Sequence, residues 1–258
     1  MNAPVHGNHR EREILDELRS LGGSCRIQVL ATRLGVSEET IRRNVKNLVK
    51  SEIVRKVHGG VHLSESHIEL PFNRRMTENP DAKRTISTAM ANLINSGDTL
   101  FLDVGSTTAF IANGLSNHND LFVVTNSVTV AQSLVGKNNN RIFLAGGELR
   151  THYAGAFGPE ALEFVRQFNV QYAVLSVAAI NAAAGFMIHD MREAIFSREI
   201  IEHAKVRVVV ADSDKFGKSA PIILTEPSTI DLLVTDKTPP RNILQLLDEN
   251  DIDLIVGS

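Results

Sequence analysis

The chain has 258 residues, of which 43% are hydrophobic and 22% charged, and its formal net charge at pH 7 is −3. This composition is typical of a globular protein with one small and one medium domain, and it excludes a largely disordered chain. The single cysteine excludes an internal disulfide and a multi-cysteine metal site. No stretch resembles a signal peptide or approaches the roughly 20 apolar residues of a membrane helix, so we expect a cytoplasmic protein without membrane contact.

The charge is unevenly distributed along the chain. Residues 1–64 contain 11 Lys and Arg against 7 Asp and Glu, whereas the remaining residues contain 16 against 23. A basic N-terminal part joined to an acidic body is typical of a DNA-binding module with a regulatory domain.

The first 64 residues predict a winged helix-turn-helix. Apolar spacing indicates two helices, at residues 10–21 and 27–34, the second with Val29 on its buried face. A third helix begins after the N-cap Ser37 and is followed by a short hairpin that turns at Gly59. This order of elements is that of a domain which places its third helix in the major groove.

The third helix carries two adjacent arginines, which suit both base edges and phosphates. The hairpin adds a basic tip, which we expect to contact the DNA phosphates or the adjacent minor groove. The alternative is a solvated charged face, but basic charge, a cap and a hairpin in this order favour DNA binding. The predicted DNA contacts are Ser37, Thr40, Arg42, Arg43, Lys46, Lys56 and His58.

A second domain follows a linker. Residues 65–80 are polar and contain Pro71 and Pro80, so we predict a DNA-binding domain at 1–64, a linker at 65–80 and a sensor domain at 81–258. In the sensor domain short apolar strands alternate with amphipathic helices, which predicts an α/β fold with a mainly parallel sheet covered on both faces. The predicted strands are 99–104, 121–125, 141–145, 172–177, 206–211 and 230–235, and the predicted helices are 82–94, 107–115, 128–134, 159–166, 192–204 and 241–250.

Small polar residues follow several of these strands. At 103–108 a strand runs into a glycine, three hydroxyl residues and a helix N-terminus, a pattern that favours a phosphate, although a single such turn is usually an ordinary helix cap. Similar turns follow the next two strands, and ligands of open α/β sheets bind at the carboxyl ends of the strands. The candidate ligand residues are Asp103, Gly105, Ser106, Thr107, Thr108, Thr125, Asn126, Ser127, Gly146, Gly147, Arg150, Glu193 and Lys215.

Within this set the charged residues have distinct expected roles. Lys215 and Arg150 are candidate cations for a phosphate. The alternative for each is an ordinary surface charge without a ligand. Asp103 and Glu193 are candidates for sugar hydroxyls, or else caps and supporting residues. The nine histidines show no metal-ligand spacing, so we expect no metal.

Together these motifs resemble the DeoR family of bacterial sugar-catabolism repressors, over nearly the whole chain. The resemblance rests on residues 36–43, 57–60, 102–108, 124–127, 144–147 and 211–217. It implies a sensor domain similar to ribose-5-phosphate isomerase, a phosphorylated sugar effector and assembly into dimers or tetramers. The chain departs from the family pattern at Asn44-Val45, where Asp and Leu are usual, at residues 178–181, and at Arg192, where an acid is common.

The sequence therefore predicts a transcriptional repressor of a carbohydrate-catabolism operon. Its partners would be operator double-stranded DNA and a phosphorylated sugar or sugar acid as effector, with no cofactor and no catalysis. One rival is an enzyme, a phosphosugar isomerase or related transferase with an accessory basic domain, in which Asp103, Glu193 and Lys215 act as base and electrophile. Another rival is a DNA-binding protein whose second domain only assembles subunits.

Overall fold

The computed structural model describes residues 9–21, 23–51, 53–63, 70–150 and 154–258. The chain divides into two compact units, Met1–Pro71 and Phe72–Ser258, and this boundary lies inside the predicted linker. We call them the N-terminal unit and the C-terminal unit. In the described parts of both, no helix is long and apolar enough to cross a membrane.

The N-terminal unit has three helices and a small sheet around one core. Ile14 and Leu18 from the first helix meet Leu30 from the second and Ile41 and Val45 from the third, and all five are buried. Burying one apolar stripe of each helix gives the unit a core of its own. Its elements are α1 (His9–Ser20), β1 (Ser24–Arg26), α2 (Ile27–Arg33), α3 (Glu38–Lys50), β2 (Val54–Val57) and β3 (Gly60–Leu63).

Two details of this unit differ from the prediction. Val29 was expected to be buried but is 42% exposed, because the short α2 turns Leu30 and Ala31 to the core instead. Strand β1 was not predicted, since three residues are too few to show an alternating pattern. It pairs antiparallel with β3, so the sheet has three strands in the order β1-β3-β2.

The C-terminal unit is built from alternating helices and strands. Its helices are α4 (Phe72–Thr77), α5 (Pro80–Leu93), α6 (Ser106–Gly114), α7 (Val128–Leu134), α8 (Pro159–Val165), α9 (Met191–Glu202) and α10 (Arg241–Glu249). Its strands are β4 (Thr99–Leu102), β5 (Phe122–Thr125), β6 (Arg141–Leu144), β7 (Leu149–Arg150), β8 (Gly155–Ala156), β9 (Val170–Ser176), β10 (Ala179–Asn181), β11 (Gly185–Ile188), β12 (Ala204–Val210), β13 (Ile222–Ile223), β14 (Leu232–Thr235) and β15 (Asp253–Val256).

Seven of these strands form one fully parallel sheet, which confirms the predicted α/β class. Its order is β15-β14-β12-β9-β4-β5-β6. Successive residues of a strand face opposite sides of the sheet, so Phe101 of β4 enters one core whereas Leu100 and Leu102 enter the other. Helices cover both faces, as the near-continuous apolar strands predicted.

Several short strands lie outside the predicted set. β10, β11 and β13 form an antiparallel sheet, β7 and β8 form a two-stranded one, and β15 adds an edge to the main sheet. Each has only two to four residues. The pairs β7–β8 and β10–β11 close across short loops, whereas β13 and β15 pair with strands farther away in the chain. Local pattern carries little information about such elements.

The segment predicted as linker is partly helical. Residues 64–69 lie outside the described part, but residues 72–77 form α4, and α5 begins at Pro80. Phe72 is only 6% exposed, so α4 belongs to the C-terminal unit. Packing of this aromatic side chain into the unit stabilises the short helix.

The strand order reverses direction at β4. The chain proceeds from β4 through β5 to β6, then returns to the other side of β4 with β9 and continues outward through β12 to β15. The carboxyl ends of β4 and β9 thus enclose the topological switch point, where ligands of open α/β sheets bind. We call this space the β4–β9 crevice.

We expect Gly60→Ala to destabilise the N-terminal unit by about 1–3 kcal/mol. A Cβ at this position would lie 2.4 Å from the carbonyl oxygen of Cys25, so β1 and β3 would have to separate. Hydrogen exchange of the β3 amides measures the effect in the full chain. Lys56→Ala, an exposed change in the same sheet, is the control, and equal protection in both variants would refute the close approach.

Candidate functional site

Helix α3 begins with a hydroxyl cap. The Ser37 hydroxyl accepts a hydrogen bond from the backbone N–H of Thr40 at 3.2 Å and lies 2.9 Å from the Thr40 hydroxyl. Glu38 and Glu39 place negative charge at the positive end of the helix dipole. Ser37 and Thr40, both predicted as DNA contacts, therefore also fix where the helix starts.

The face of α3 opposite the core is cationic. Arg42, Arg43 and Lys46 are all exposed. Arg42 donates to the Glu38 carboxylate at 2.6 Å, but both side chains are largely in solvent, so this pair holds the guanidinium only weakly. A negatively charged partner can replace Glu38 at small cost.

The hairpin adds a second group of exposed cations. Lys56 lies on β2 and His58 in the following turn, and both predicted DNA contacts are exposed. Arg55 is exposed as well and was missed, although it stands next to Lys56 in the same basic strand.

Asn44, where the chain departs from the family pattern, is 8% exposed, and its amide donates to the Thr40 carbonyl at 2.8 Å. Its side chain thus lies against its own helix.

In the C-terminal unit, Asp103 links the ends of β4 and β9. It is 2% exposed, and its carboxylate accepts from the backbone N–H of Ser176 at 2.8 Å and from the Ser176 hydroxyl at 3.3 Å. Burial raises the pKa of Asp103 to about 7, while hydrogen bonds from Ser176 and Thr108 and the positive charge of Arg75 oppose the rise. Sequence reasoning missed Ser176, whose only signal is its place at the end of a strand.

Gly105 allows the two strand ends to approach each other. A Cβ there would lie 2.1 Å from the Ser176 hydroxyl oxygen. Gly105 is also the N-cap of α6 and offers no side chain to the N–H groups of the first helical turn. Those donors and the positive end of the helix dipole favour an anion at the β4–β9 crevice.

The hydroxyl residues after β4 contribute in different ways. Ser106 and Thr107, the first two residues of α6, are 6% and 5% exposed. Thr108 is fully buried, and its hydroxyl donates to the carbonyls of Asp103 at 2.9 Å and Gly105 at 3.0 Å. Thr108 therefore holds the turn in shape.

The residues after β5 are buried and engaged with the backbone. The Thr125 hydroxyl accepts from the N–H of Ser127 at 3.0 Å, and the Ser127 hydroxyl caps α7 by accepting from Val130 at 3.3 Å. The Asn126 amide donates to the Ala156 carbonyl at 3.1 Å. All three predicted ligand residues are fully buried, so they shape the loop beside the crevice.

The remaining predicted residues lie at two other places. Gly146 and Gly147 are exposed after β6. Arg150 lies 3.8 Å from the carboxylate of Asp190, which caps α9, and Glu193 is buried in the first turn of that helix. In the described ranges no three or more His, Cys, Asp or Glu residues are grouped so as to hold a metal ion.

A cluster of cations lies near the end of β12. Lys215 follows Asp212 in the turn after this strand. The pKa of Lys83 is lowered to about 8, mainly by burial. The charge of Asp212 opposes this shift, and the positive charges of Lys215 and Arg75 contribute to it. Because Arg75 also acts on the pKa of Asp103, the ends of β4 and β12 share one electrostatic environment. Arg75 and Lys83 were not predicted, since one fell in the presumed linker and the other inside a helix.

Comparison with known proteins gives a consistent picture. The DeoR-like helix-turn-helix domain matches residues 10–67, and the DeoR C terminal sensor domain matches residues 78–237. The chain is 34% identical to the glycerol-3-phosphate regulon repressor of Escherichia coli K12, covering 92% of this chain and 94% of that protein. It is 33% identical to the transcriptional repressor CsqR of the same organism, covering 97% and 95%. Ribose 5-phosphate isomerase A from Methanocaldococcus jannaschii is similar over 54% of this chain and 55% of its own, with a TM-score of 0.40 and 16% identity.

The buried carboxyl of Asp103 predicts a pH-dependent stability. Its pKa of about 7 lies above the ordinary value of 3.8, so between these values the folded chain keeps a proton that the unfolded chain releases. This contribution is complete below about pH 4 and is lost as pH rises through 7. Relative to Asp103→Asn, the free energy of unfolding of the wild type should fall by up to roughly 4 kcal/mol over that range.

Denaturant unfolding of both proteins at several pH values between about 4.5 and 8 measures this difference. Asp248→Asn, which replaces an exposed carboxylate, is the control and should follow the wild type. Parallel pH profiles for the wild type and Asp103→Asn would show that Asp103 ionises normally.

Proposed function

The chain belongs to the DeoR family of transcriptional repressors, and on that basis we propose that it binds operator DNA through its N-terminal unit and a phosphorylated sugar or sugar acid through its C-terminal unit. The observation that carries the effector site is the α6 N-terminus, whose first turn has no side-chain cap and opens at the switch point of the sheet. Occupancy of this site would then control a carbohydrate-related operon.

We infer that α3 reads the DNA. A helix fits the major groove, where arginine pairs with guanine edges and lysine with phosphates. Arg42, Arg43 and Lys46 supply that chemistry on one exposed face. The hairpin residues Lys56 and His58 extend the positive surface and suit the neighbouring phosphates or minor groove.

The effector chemistry follows from the crevice. A phosphate dianion suits the α6 N-terminus and the cation Lys215, while Asp103 and Ser176 are able to bind hydroxyls. Two relatives, from Escherichia coli and Haemophilus influenzae, are named for the glycerol-3-phosphate regulon, and that compound is a phosphomonoester with free hydroxyls. A phosphorylated sugar or sugar acid is the class we propose.

We propose regulation without turnover, cofactor or metal. The relatives reported above are repressors, and we propose that the Asp103 carboxylate, which accepts from both the N–H and the hydroxyl of Ser176, orients sugar hydroxyls and does not transfer a proton. An effector alters DNA affinity only as far as it binds the two states differently, by about 1–3 kcal/mol in typical cases. We expect the repressor to act in the cytoplasm and to bind operator DNA as a dimer or tetramer.

Arg43→Ala should weaken binding to operator DNA by about 1–3 kcal/mol, since it removes a candidate base contact, and Arg42→Ala should act similarly. Operator sequences are obtained by selection from random duplexes with the wild-type protein, and affinity by fluorescence anisotropy. Lys205→Ala, at the amino end of β12, is the control. Wild-type affinity in both arginine variants would rule out α3 as the reader.

Lys215→Ala should lower the affinity for a phosphorylated sugar by one to two orders of magnitude, because a charge-assisted contact of about 1.5–3 kcal/mol is lost. DNA binding without effector should persist. Calorimetry with the best compound from a thermal-shift panel of phosphorylated sugars and sugar acids measures this. Lys218→Ala, an exposed lysine in the same loop, is the control. Conversion of any of these compounds by the wild type would instead support an enzyme.

A further inference from the structure

Helix α4 occupies a special position in the chain. The N-terminal unit ends at Pro71, and α4 begins at Phe72, so it is the first element that the chain forms in the C-terminal unit. Phe72 is buried there, and α4 packs against α6, whose N-terminus forms part of the crevice. Helix α4 therefore stands, along the chain, between the N-terminal unit and the crevice.

Lys83 fixes the C-terminal end of α4. This lysine of α5 is 3% exposed, and its Nζ donates to the carbonyl of Glu78 at 2.7 Å and also to that of Arg75. An ammonium group at the negative end of a helix, bonded to carbonyl oxygens of its last turn and of the next residue, stabilises that end. Loss of its charge would weaken both bonds.

Asn79 fixes the turn between α4 and α5. It has a left-handed backbone with φ of 46°, and its side-chain amide donates to Asp212 at 3.2 Å and Asp214 at 2.8 Å. These acids precede the candidate effector residue Lys215 in the turn after β12. The turn after α4 is thus bonded directly to the loop expected to bind phosphate.

Three cations lie close together around this end of α4. Lys215 and Arg75 both oppose the charged form of Lys83, and burial opposes it more strongly, so the pKa of Lys83 is about 8. With this pKa Lys83 is already mostly protonated at neutral pH, so a phosphate dianion near Lys215 would act by offsetting the repulsion on its ammonium group where it meets α4. The two hydrogen bonds from Lys83 to α4 would then become stronger.

We propose that α4 couples the effector site to the DNA-binding unit, with Lys83 and Asn79 as positioning residues that order α4 when an anion occupies the crevice. The inference rests on the proposed effector site. Neither residue needs to touch the effector. Each acts by transferring a change of charge at the ends of β4 and β12 to the backbone of α4.

Hydrogen exchange of the full chain tests this, with inorganic phosphate as the probe and chloride at equal ionic strength as the reference. In the wild type, phosphate should slow exchange by a factor of about three in residues 72–79 as well as in 103–110. In Lys83→Met the slowing should remain in 103–110 and disappear in 72–79. Lys205→Met is the matched control and should behave as the wild type.

A second variant guards against a folding defect in Lys83→Met. Asn79→Gly retains the left-handed turn and removes only the amide, and it should also uncouple residues 72–79. Slowing at 103–110 without any at 72–79 in the wild type would overturn the role of α4 and leave the effector site intact. Slowing at 72–79 in both variants would overturn the roles of Lys83 and Asn79. No slowing at either segment would contradict the phosphate site and, with it, this inference.

Discussion

The C-terminal unit depends on one buried carboxylate at the point where its sheet changes direction. Asp103 follows the last residue of β4, and its side chain accepts a hydrogen bond from the backbone N–H of Ser176 in β9. This bond continues the pairing of β4 with β9 beyond the end of β4. Gly105 makes this approach possible, and the close fit sets where α6 begins. The crevice is therefore formed by backbone constraints as much as by side-chain chemistry, as in other open α/β sheets.

Charge connects this crevice to the rest of the unit. The acids Asp103 and Asp212 lie near the cations Arg75, Lys83 and Lys215, so charges of both signs surround the crevice. An anion that enters must change the strength of several of these interactions at once. Lys83 and Asn79 bond the end of α4 to the same groups, and α4 begins directly after the N-terminal unit. The proposed coupling therefore requires only a local change of electrostatics.

The sequence predicted elements whose signals are local and missed features formed by distant residues. Ser37 as the cap of α3 and the alternation of strands and helices were readable because caps and periodicity lie within one segment. The contact of Asp103 with Ser176 joins residues 73 positions apart and leaves no local mark. Hydroxyls such as that of Thr108 were assigned to a ligand because a turn that binds phosphate and a turn that caps itself use the same residue types.

The central claim is that occupancy of the crevice and binding of DNA are thermodynamically linked, and reciprocity tests it most directly. The DNA dissociation constant should change by a factor of about 5–150 at saturating phosphorylated effector, and the effector dissociation constant should change by the same factor at saturating DNA. Fluorescence anisotropy and calorimetry on the wild-type chain give the two factors independently. Effector binding at the crevice with an unchanged DNA dissociation constant would contradict the account.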